Sequence, residues 1–156
     1  VLAIDGKTLR RSFDGAAAGN PLAVVTAFAS ASRMVVGQES FRVSDGDSEI
    51  VAARALLGCL DLKGLLVTAD AIHCQVETAR VIRAQGGDYL FRLKANRPAL
   101  HDMVAAYFDD PETKAGLASA VTTDSEHGRI EVRRAWVSHD MGWLRGPKTS
   151  CAEPAL

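Results

Sequence analysis

The stretch AVVTAFASASRMVVGQESFRV (23–43) decides the fold class. Two runs rich in Val, Ala and Phe, 23–29 and 34–43, are separated only by SASR (30–33). A connector that short permits a hairpin but not a parallel crossover, so the two strands are predicted to be antiparallel. No helix fits between them. This argues against a receiver-type domain, in which strands and helices alternate from the start.

Apolar runs and turn residues on either side of this hairpin predict the remaining elements. The run VLAI (1–4) indicates a first strand that ends at Asp5. After the hairpin we expect a helix from Ile50, capped by Asp47 or Ser48 and closed by Gly64. A strand over 65–69 and a helix over 75–85 follow, and Gly86 and Gly87 stop that helix. The last elements of this part are a strand over 89–93 before Lys94 and a helix from Pro98. Three antiparallel strands followed by parallel crossovers give an α/β protein with a mixed sheet, the layout of the ribonuclease-H-like fold.

The predicted domain organisation has three parts. Residues 1–115 form the ribonuclease-H-like core, 116–138 an inserted β-hairpin with strands near 120–123 and 130–137, and 139–156 an irregular tail without a usable period. The chain opens without an initiator Met, which suggests a piece of something longer.

Composition restricts the class of protein. The chain has 156 residues, 47% of them hydrophobic, which suits one soluble domain with a real core. Its net charge of −1 gives no global positive field, so any contact with nucleic acid must come from local patches. Three cysteines without a C-x-x-C pair are typical of reduced thiols in a cytoplasmic protein. No signal-peptide pattern and no membrane-spanning apolar run are present in the sequence.

Two predicted strands end in aspartate, at Asp5 and at Asp70 within VTADAIHCQ (67–75). If these strands are parallel neighbours, ~4.8 Å apart, both carboxylates reach the same edge of the sheet. Two carboxylates could then hold Mg²⁺ or Mn²⁺ for phosphodiester chemistry. Two such anions without a metal should repel and raise at least one pKa. The alternative is that each aspartate simply ends a strand and bonds to a turn.

Four ordered blocks carry a resemblance to a known family: AIDGKTLRRSFD (3–14), VTADAIHCQ (67–75), GGDYLFRLKANRPAL (86–100) and HGRIEVRRAWV (127–137). They resemble the H-repeat-associated bacterial insertion-sequence transposases, a branch of the DDE transposases. The resemblance implies that Asp5 and Asp70 are the first two acids of the catalytic triad, and that they bind Mg²⁺ or Mn²⁺. It also implies DNA cleavage and strand transfer, with transposon ends and target DNA as partners and a homodimer for the full-length protein.

The chain also departs from the family's pattern. It has GDSEI (46–50) and KANR (94–97) where the family usually has Lys-Ser-Asn-Glu-Ile and Lys-Gly-Asn-Gln. The helical motif that carries the third acid is absent from the sequence. Glu131 is a candidate substitute, although a surface ion pair with a nearby arginine is its more ordinary role. The chain alone is therefore expected to be inactive. A non-catalytic DNA- or partner-binding remnant and a ribonuclease-H-like nuclease stay open as alternatives.

Basic residues near the two aspartates are candidates for phosphate contacts, with ordinary solvated surface as the alternative. They are Lys7, Arg10, Arg11, Lys94 and Arg97. Zinc at His73 and Cys74 is rejected, because no partner His or Cys stands at ligand spacing. Trp136, on an alternating strand, is expected in a core.

Overall fold

The computed structural model describes residues 1–10, 12, 21–42, 48–126 and 129–144. This part of the chain forms two compact units, one of residues 1–96 and one that begins at Arg97. The division expected from the sequence, with a core over 1–115, a hairpin over 116–138 and a tail over 139–156, stays a prediction.

A five-stranded mixed sheet forms the centre of the first unit. Its strands are β1 (Leu2–Thr8), β2 (Leu22–Ala29), β3 (Met34–Arg42), β4 (Leu66–Ala69) and β5 (Asp88–Phe91), in the spatial order β3-β2-β1-β4-β5. β2 pairs antiparallel with β1 and β3, whereas β4 pairs parallel with β1 and β5. The predicted hairpin is thereby confirmed, and the mixed α/β arrangement is compatible with a ribonuclease-H-like fold.

Two helices connect strands of this sheet: α1 (Glu49–Gly58) lies between β3 and β4 in the chain, and α2 (Val76–Ala84) lies between β4 and β5. Ser48 caps α1, since its hydroxyl accepts a hydrogen bond from the Val51 amide at 3.3 Å; Asp47 lies outside the described residues. α2 ends before Gly86, whose φ of +78° is a conformation that L side chains rarely adopt. Gly64 was predicted to close α1, but the helix already ends at Gly58. The last turn tightens instead, because the Cys59 amide bonds to the carbonyl of Leu56, three residues back.

The hydrophobic core lies between the helices and one face of the sheet. Its buried members include Leu2, Ile4, Val25, Ala27 and Val67 from the strands, and Ala53, Leu56, Leu57 and Ile82 from the helices. Successive side chains of a strand point to opposite faces, so the strand residues next to these core positions lie on the other face. Asp5 is one of them, and it is exposed.

The first strand does not end at Asp5, and that prediction is wrong. β1 continues to Thr8 because β2 pairs with it over its whole length, from Leu2 opposite Ala29 to Thr8 opposite Ala23. What ends near Asp5 is the pairing with β4 on the other side, whose last matched pair is Ile4 with Ala69. When a strand pairs with a neighbour on each side, its sequence does not show where the pairing with only one neighbour ends.

The second unit contains α3 (Pro98–Asp109), α4 (Pro111–Ala115) and an antiparallel hairpin of β6 (Ala118–Glu126) and β7 (Arg129–Val137). Pro98 stands in the first turn of α3, as predicted. The short α4 was not predicted; the Asp110 carboxylate caps it by accepting from the Thr113 amide at 2.8 Å. Across the described ranges, no helix is both long and apolar enough to cross a lipid bilayer.

Trp136 is not a core residue, contrary to the prediction. Its side chain is half-buried, and the Lys114 ammonium lies 4.4 Å from the centroid of its ring. The other described side chains of β7 are exposed, with Ile130 at 77% and Val132 at 52%. The alternation of apolar and polar residues along β7 therefore does not mark a buried face, because most side chains of this strand are exposed on both faces.

Candidate functional site

Asp5 and Asp70 follow the last matched pair of the parallel strands β1 and β4. Ile4 is opposite Ala69 in the register, so the next residue on each strand is an aspartate. The backbone at Asp70 is still extended, with φ −71° and ψ 171°, which keeps the two chains alongside each other. Neighbouring strands lie about 4.8 Å apart. The structure thus brings the two predicted acids together, and both are exposed.

Both aspartates belong to the face of the sheet that the two helices leave open. A Cβ atom added at Gly6 would overlap the Glu49 carboxylate of α1, so position 6 faces the helices and position 5 faces away from them. Asp70 continues the same row, since Thr68 two residues earlier is opposite Ala3. Both carboxylates are therefore on the same face of the sheet, where solvent reaches them.

Positive charge surrounds Asp70. The Lys94 ammonium lies 3.2 Å from one of its carboxylate oxygens. A hydrogen bond from the Ala71 amide holds the pKa of Asp70 below its ordinary value, and Lys94 and Arg92 lower that pKa further. The pKa of Asp70 is thus lowered and not raised, and the expectation that at least one of the two carboxylates has a raised pKa stays a prediction.

Only some of the candidate phosphate-binding residues lie in the first unit among the described residues. Lys7 lies two residues beyond Asp5 and on the same face of β1, and Arg10 is exposed in the turn that follows. Lys94 contacts Asp70, and the positive charge of Arg92 also acts on that carboxylate. Arg97 begins the second unit, at the N-terminus of α3. Arg11 lies outside the described residues.

A set of hydrogen bonds holds the turn that starts at Asp70. The His73 amide donates to the Asp70 carbonyl at 3.0 Å, which closes a 3₁₀ turn over Ala71–His73. The Asn96 side chain, beyond β5, donates to the Ala71 carbonyl at 2.8 Å. From α1, the Arg54 guanidinium donates to Gln75 at 2.8 Å and to Thr78 at 3.1 Å. These hydrogen bonds connect the turn after Asp70 to Asn96 and to α1.

His73 and Glu49 form a contact that sequence reasoning missed. The His73 side chain is 1% exposed, and its Nε2 lies 3.0 Å from Glu49 Oε1. Its Nδ1 is buried and has no hydrogen-bond partner in the part of the chain that the structure describes. The available signals were a glycine directly after Asp5 and a histidine three residues after Asp70. From the sequence, His73 was considered as a zinc ligand and no role was predicted for Glu49.

No third carboxylate joins the pair among the residues that the structure describes. Within 1–10, 12, 21–42, 48–126 and 129–144, no group of three or more His, Cys, Asp or Glu residues is placed to hold a metal ion. Glu131 lies on β7 in the second unit and accepts a hydrogen bond from Arg133 at 2.7 Å, the surface ion pair considered above. Cys59 and Cys74 are free thiols, and Cys151 lies outside the described residues.

Comparison with known proteins gives relatives over most of the chain. No protein-family model matches it. It is 41% identical over 143 residues to a Xanthobacter autotrophicus protein named "Uncharacterized protein in dhlA 3'region", with 92% of this chain and 48% of that protein covered. Two Escherichia coli K12 proteins, YhhI and YbfD, are each named "H repeat-associated putative transposase". They are 37% and 36% identical, cover 85% of this chain, and are themselves covered to 35% and 52%.

The chain thus spans between about a third and about half of the length of these curated relatives. The similarity to the two E. coli proteins covers 85% of this chain, and it agrees with the resemblance seen in the sequence blocks. These relatives support a place for the chain in a transposase family.

Proposed function

We propose that the chain is the part of a DDE transposase that carries the first two catalytic acids, Asp5 and Asp70, within a ribonuclease-H-like core. Its reaction is cleavage and strand transfer of DNA phosphodiester bonds. The observation that carries the proposal is the adjacency of the two aspartates at the end of the β1–β4 pairing, in a chain similar to proteins named transposases.

The chemistry of the pair fits a magnesium or manganese ion. Mg²⁺ prefers oxygen ligands and commonly binds to one or two carboxylates while the substrate's phosphates complete its shell. Both aspartates are exposed, and the lowered pKa of Asp70 keeps that carboxylate ionised at neutral pH. When bound between such carboxylates, the ion supplies charge stabilisation for phosphoryl transfer and activates the attacking hydroxyl or water.

Lys7, Arg10, Arg92 and Lys94 supply the DNA-binding part of the proposal. The names of the relatives suggest DNA as a partner in general. Lysine and arginine contacts to phosphates give affinity without sequence information, and they act locally here because the net charge is −1. The transposon ends, the target DNA and a homodimer of the full-length protein belong to the same proposal.

Only two carboxylates of the proposed triad lie among the described residues, so the 156-residue chain is expected to bind metal and DNA but to cleave poorly. Phosphoryl transfer depends on positioning and charge stabilisation. Loss of one metal ligand removes several kcal/mol of transition-state stabilisation, on the order of 10³-fold or more in rate.

The experiment combines Mn²⁺ titration with a plasmid-nicking assay. We expect weak Mn²⁺ binding that Asp5→Asn or Asp70→Asn removes and that the matched variant Asp102→Asn, at an exposed aspartate of α3, leaves unchanged. Equal binding by all four proteins would overturn the metal site. Mn²⁺-dependent nicking that disappears in the Asp5→Ala, Asp70→Ala double variant would contradict the expected inactivity and favour the nuclease alternative.

A further inference from the structure

We propose that Glu49 and His73 are positioning residues that hold the Asp5 and Asp70 segments in one arrangement. The proposal rests on the proposed function, because it treats the two aspartates as the reactive acids. Glu49 is the first residue of α1, and His73 ends the 3₁₀ turn that Asp70 begins.

His73 depends on Glu49 for its polar contact. The imidazole is 1% exposed, its Nε2 lies 3.0 Å from Glu49 Oε1, and its Nδ1 has no hydrogen-bond partner among the described residues. A carboxylate oxygen only accepts hydrogen bonds, so the imidazole Nε2–H is the donor in this contact.

His73 passes this contact on to Asp70 through the backbone. The His73 amide donates to the Asp70 carbonyl at 3.0 Å, and the Gln75 amide donates to the His73 carbonyl at 2.8 Å. The residue that anchors the imidazole therefore also closes the turn at Asp70. Displacing the ring would loosen the turn and change the direction of the Asp70 carboxylate.

Glu49 also contacts the strand that carries Asp5. Its carboxylate lies against Gly6, in the space that a Cβ atom at that position would fill. Glu49 is only 29% exposed, so its carboxylate is confined between Gly6 and His73. One side chain thus touches the residue after Asp5 and the residue that closes the turn of Asp70.

This arrangement makes Glu49 a positioning residue and not a ligand. Gly6 faces α1, and Asp5 therefore points to the opposite face of β1, away from Glu49. The part of the chain that the structure describes also holds no three-residue group able to bind a metal ion. Glu49 acts on the pair through the backbone of β1 and through His73.

The helix stays attached without this contact. Arg54, on α1, donates to Gln75 and Thr78 at the start of α2, independently of Glu49. The buried leucines Leu56 and Leu57 fix α1 against the sheet. Loss of the Glu49–His73 hydrogen bond is therefore expected to change the site locally while the fold persists.

The test compares removal of the hydrogen bond with its conservative replacement in the 156-residue chain. Glu49→Ala and His73→Leu remove the acceptor and the donor. Glu49→Gln keeps an acceptor oxygen, and His73→Gln keeps a nitrogen donor near the Nε2 position. Ile82→Val, at a fully buried position of α2, is the control for a general loss of stability. Mn²⁺ affinity and hydrogen exchange at the His73 amide are measured for each protein.

We expect Glu49→Ala and His73→Leu each to weaken Mn²⁺ binding about tenfold, as loss of a partner behind metal ligands commonly does. The double variant should be no weaker than either single one, since both changes remove the same contact. Both glutamine variants and Ile82→Val should stay within about threefold of the wild type. Glutamine variants as weak as the alanine and leucine variants, or undiminished binding in the latter two, would overturn the proposal.

The exchange measurement separates this proposal from the metal site. If the wild type binds no Mn²⁺, the proposed function fails at its metal site, and the His73 amide still decides the positioning role. Exchange about tenfold faster in Glu49→Ala and His73→Leu, but not in the glutamine variants, supports that role. Unchanged exchange in all variants overturns it.

Discussion

The Lys94 ammonium lies 3.2 Å from a carboxylate oxygen of Asp70. The two residues follow neighbouring parallel strands, β5 and β4, which end side by side at Phe91 and Ala69. Both side chains are about half exposed, at 49% and 60%, so solvent and salt weaken their attraction. A pair of this kind opens at little cost when a divalent ion takes the carboxylate or a phosphate takes the ammonium.

Replacing Lys94 with methionine should raise the pKa of Asp70. That pKa should still stay below its ordinary value, because the hydrogen bond from the Ala71 amide is the largest cause of the lowering and is retained. A carboxyl NMR titration of both proteins measures the change. Lys63→Met, at an exposed lysine on the loop before β4, is the control and should leave the pKa of Asp70 as in the wild type.

The sign of the accompanying pH dependence follows from the direction of the shift. A pKa that is lower in the folded than in the unfolded chain stabilises the fold above the unfolded value, ~3.9 for aspartate, and that stabilisation is lost as pH falls through the folded pKa. The stability difference between wild type and Lys94→Met should therefore be present at neutral pH and vanish in acid. A difference that grows as the pH falls below 4 would contradict this origin.

Lys94→Met should also change Mn²⁺ and DNA binding in opposite directions. Removing a cation beside Asp70 should tighten Mn²⁺ binding about threefold, because the repulsion between lysine and metal is lost in a solvent-exposed site. The same change should weaken DNA binding and reduce the slope of log K against log salt by about 1. Calorimetry and salt-dependent DNA titration measure the two effects. Weaker binding of both ligands would mean that Lys94 positions Asp70 and does not merely compete for it.

The sequence predicted what depends on short-range pattern. The four-residue connector SASR required the hairpin that the structure has, and the GG pair at 86–87 marked the end of α2. The adjacency of Asp5 and Asp70 followed from two apolar runs, each followed by an acid, once the strands were taken as parallel neighbours. The hairpin and the end of α2 are each encoded within a few residues, whereas the adjacency of the two aspartates also required an assumption about the order of the strands.

Contacts between distant segments were not predictable in the same way. Glu49 and His73 are 24 residues apart, and their hydrogen bond depends on the packing of α1 against the turn after β4. No hydrophobic period encodes such a contact. At Trp136 the pattern was present but burial was not. Apolar and polar residues alternate along β7, but such alternation indicates burial only when a second layer covers one face, and β7 is largely exposed.

Gly6→Ala should reduce stability by about 1–3 kcal/mol, the cost of leaving a buried polar group without its partner. The added Cβ would displace the Glu49 carboxylate, which is flexible enough to move but would then leave His73 Nε2 unpaired. Urea denaturation measures the loss. In a Glu49→Ala background the same change should cost little, because the contact is already absent.

Gly58→Ala is the matched control for this substitution. Gly58 ends α1, and a Cβ atom there would meet nothing within 4 Å. Alanine restricts the unfolded chain more than glycine does, so this variant should be neutral or more stable by up to about 1 kcal/mol. If Gly6→Ala were as well tolerated as Gly58→Ala, the confinement of Glu49 against β1 would be wrong.

Arg54→Met should destabilise the first unit by about 1–3 kcal/mol, since a charged donor to one buried and one half-buried acceptor is lost while the aliphatic part of the side chain is retained. The Thr78 side chain is fully buried, so its hydroxyl has no water to replace the guanidinium. Arg54→Lys should not restore the loss, because an ammonium cannot reach both Thr78 and Gln75 in the planar geometry of arginine.

Arg80→Met provides the comparison for this change. Arg80 pairs with Glu77 one turn away on the exposed side of α2, where both side chains are more than half exposed. Its removal should cost no more than about 0.5 kcal/mol. In a cycle with Thr78→Val, the cost of Arg54→Met should fall, because part of it is the unpaired threonine hydroxyl. Equal costs in both backgrounds, or a loss for Arg80→Met as large as for Arg54→Met, would show that Arg54 contributes only surface charge and does not connect α1 to the start of α2.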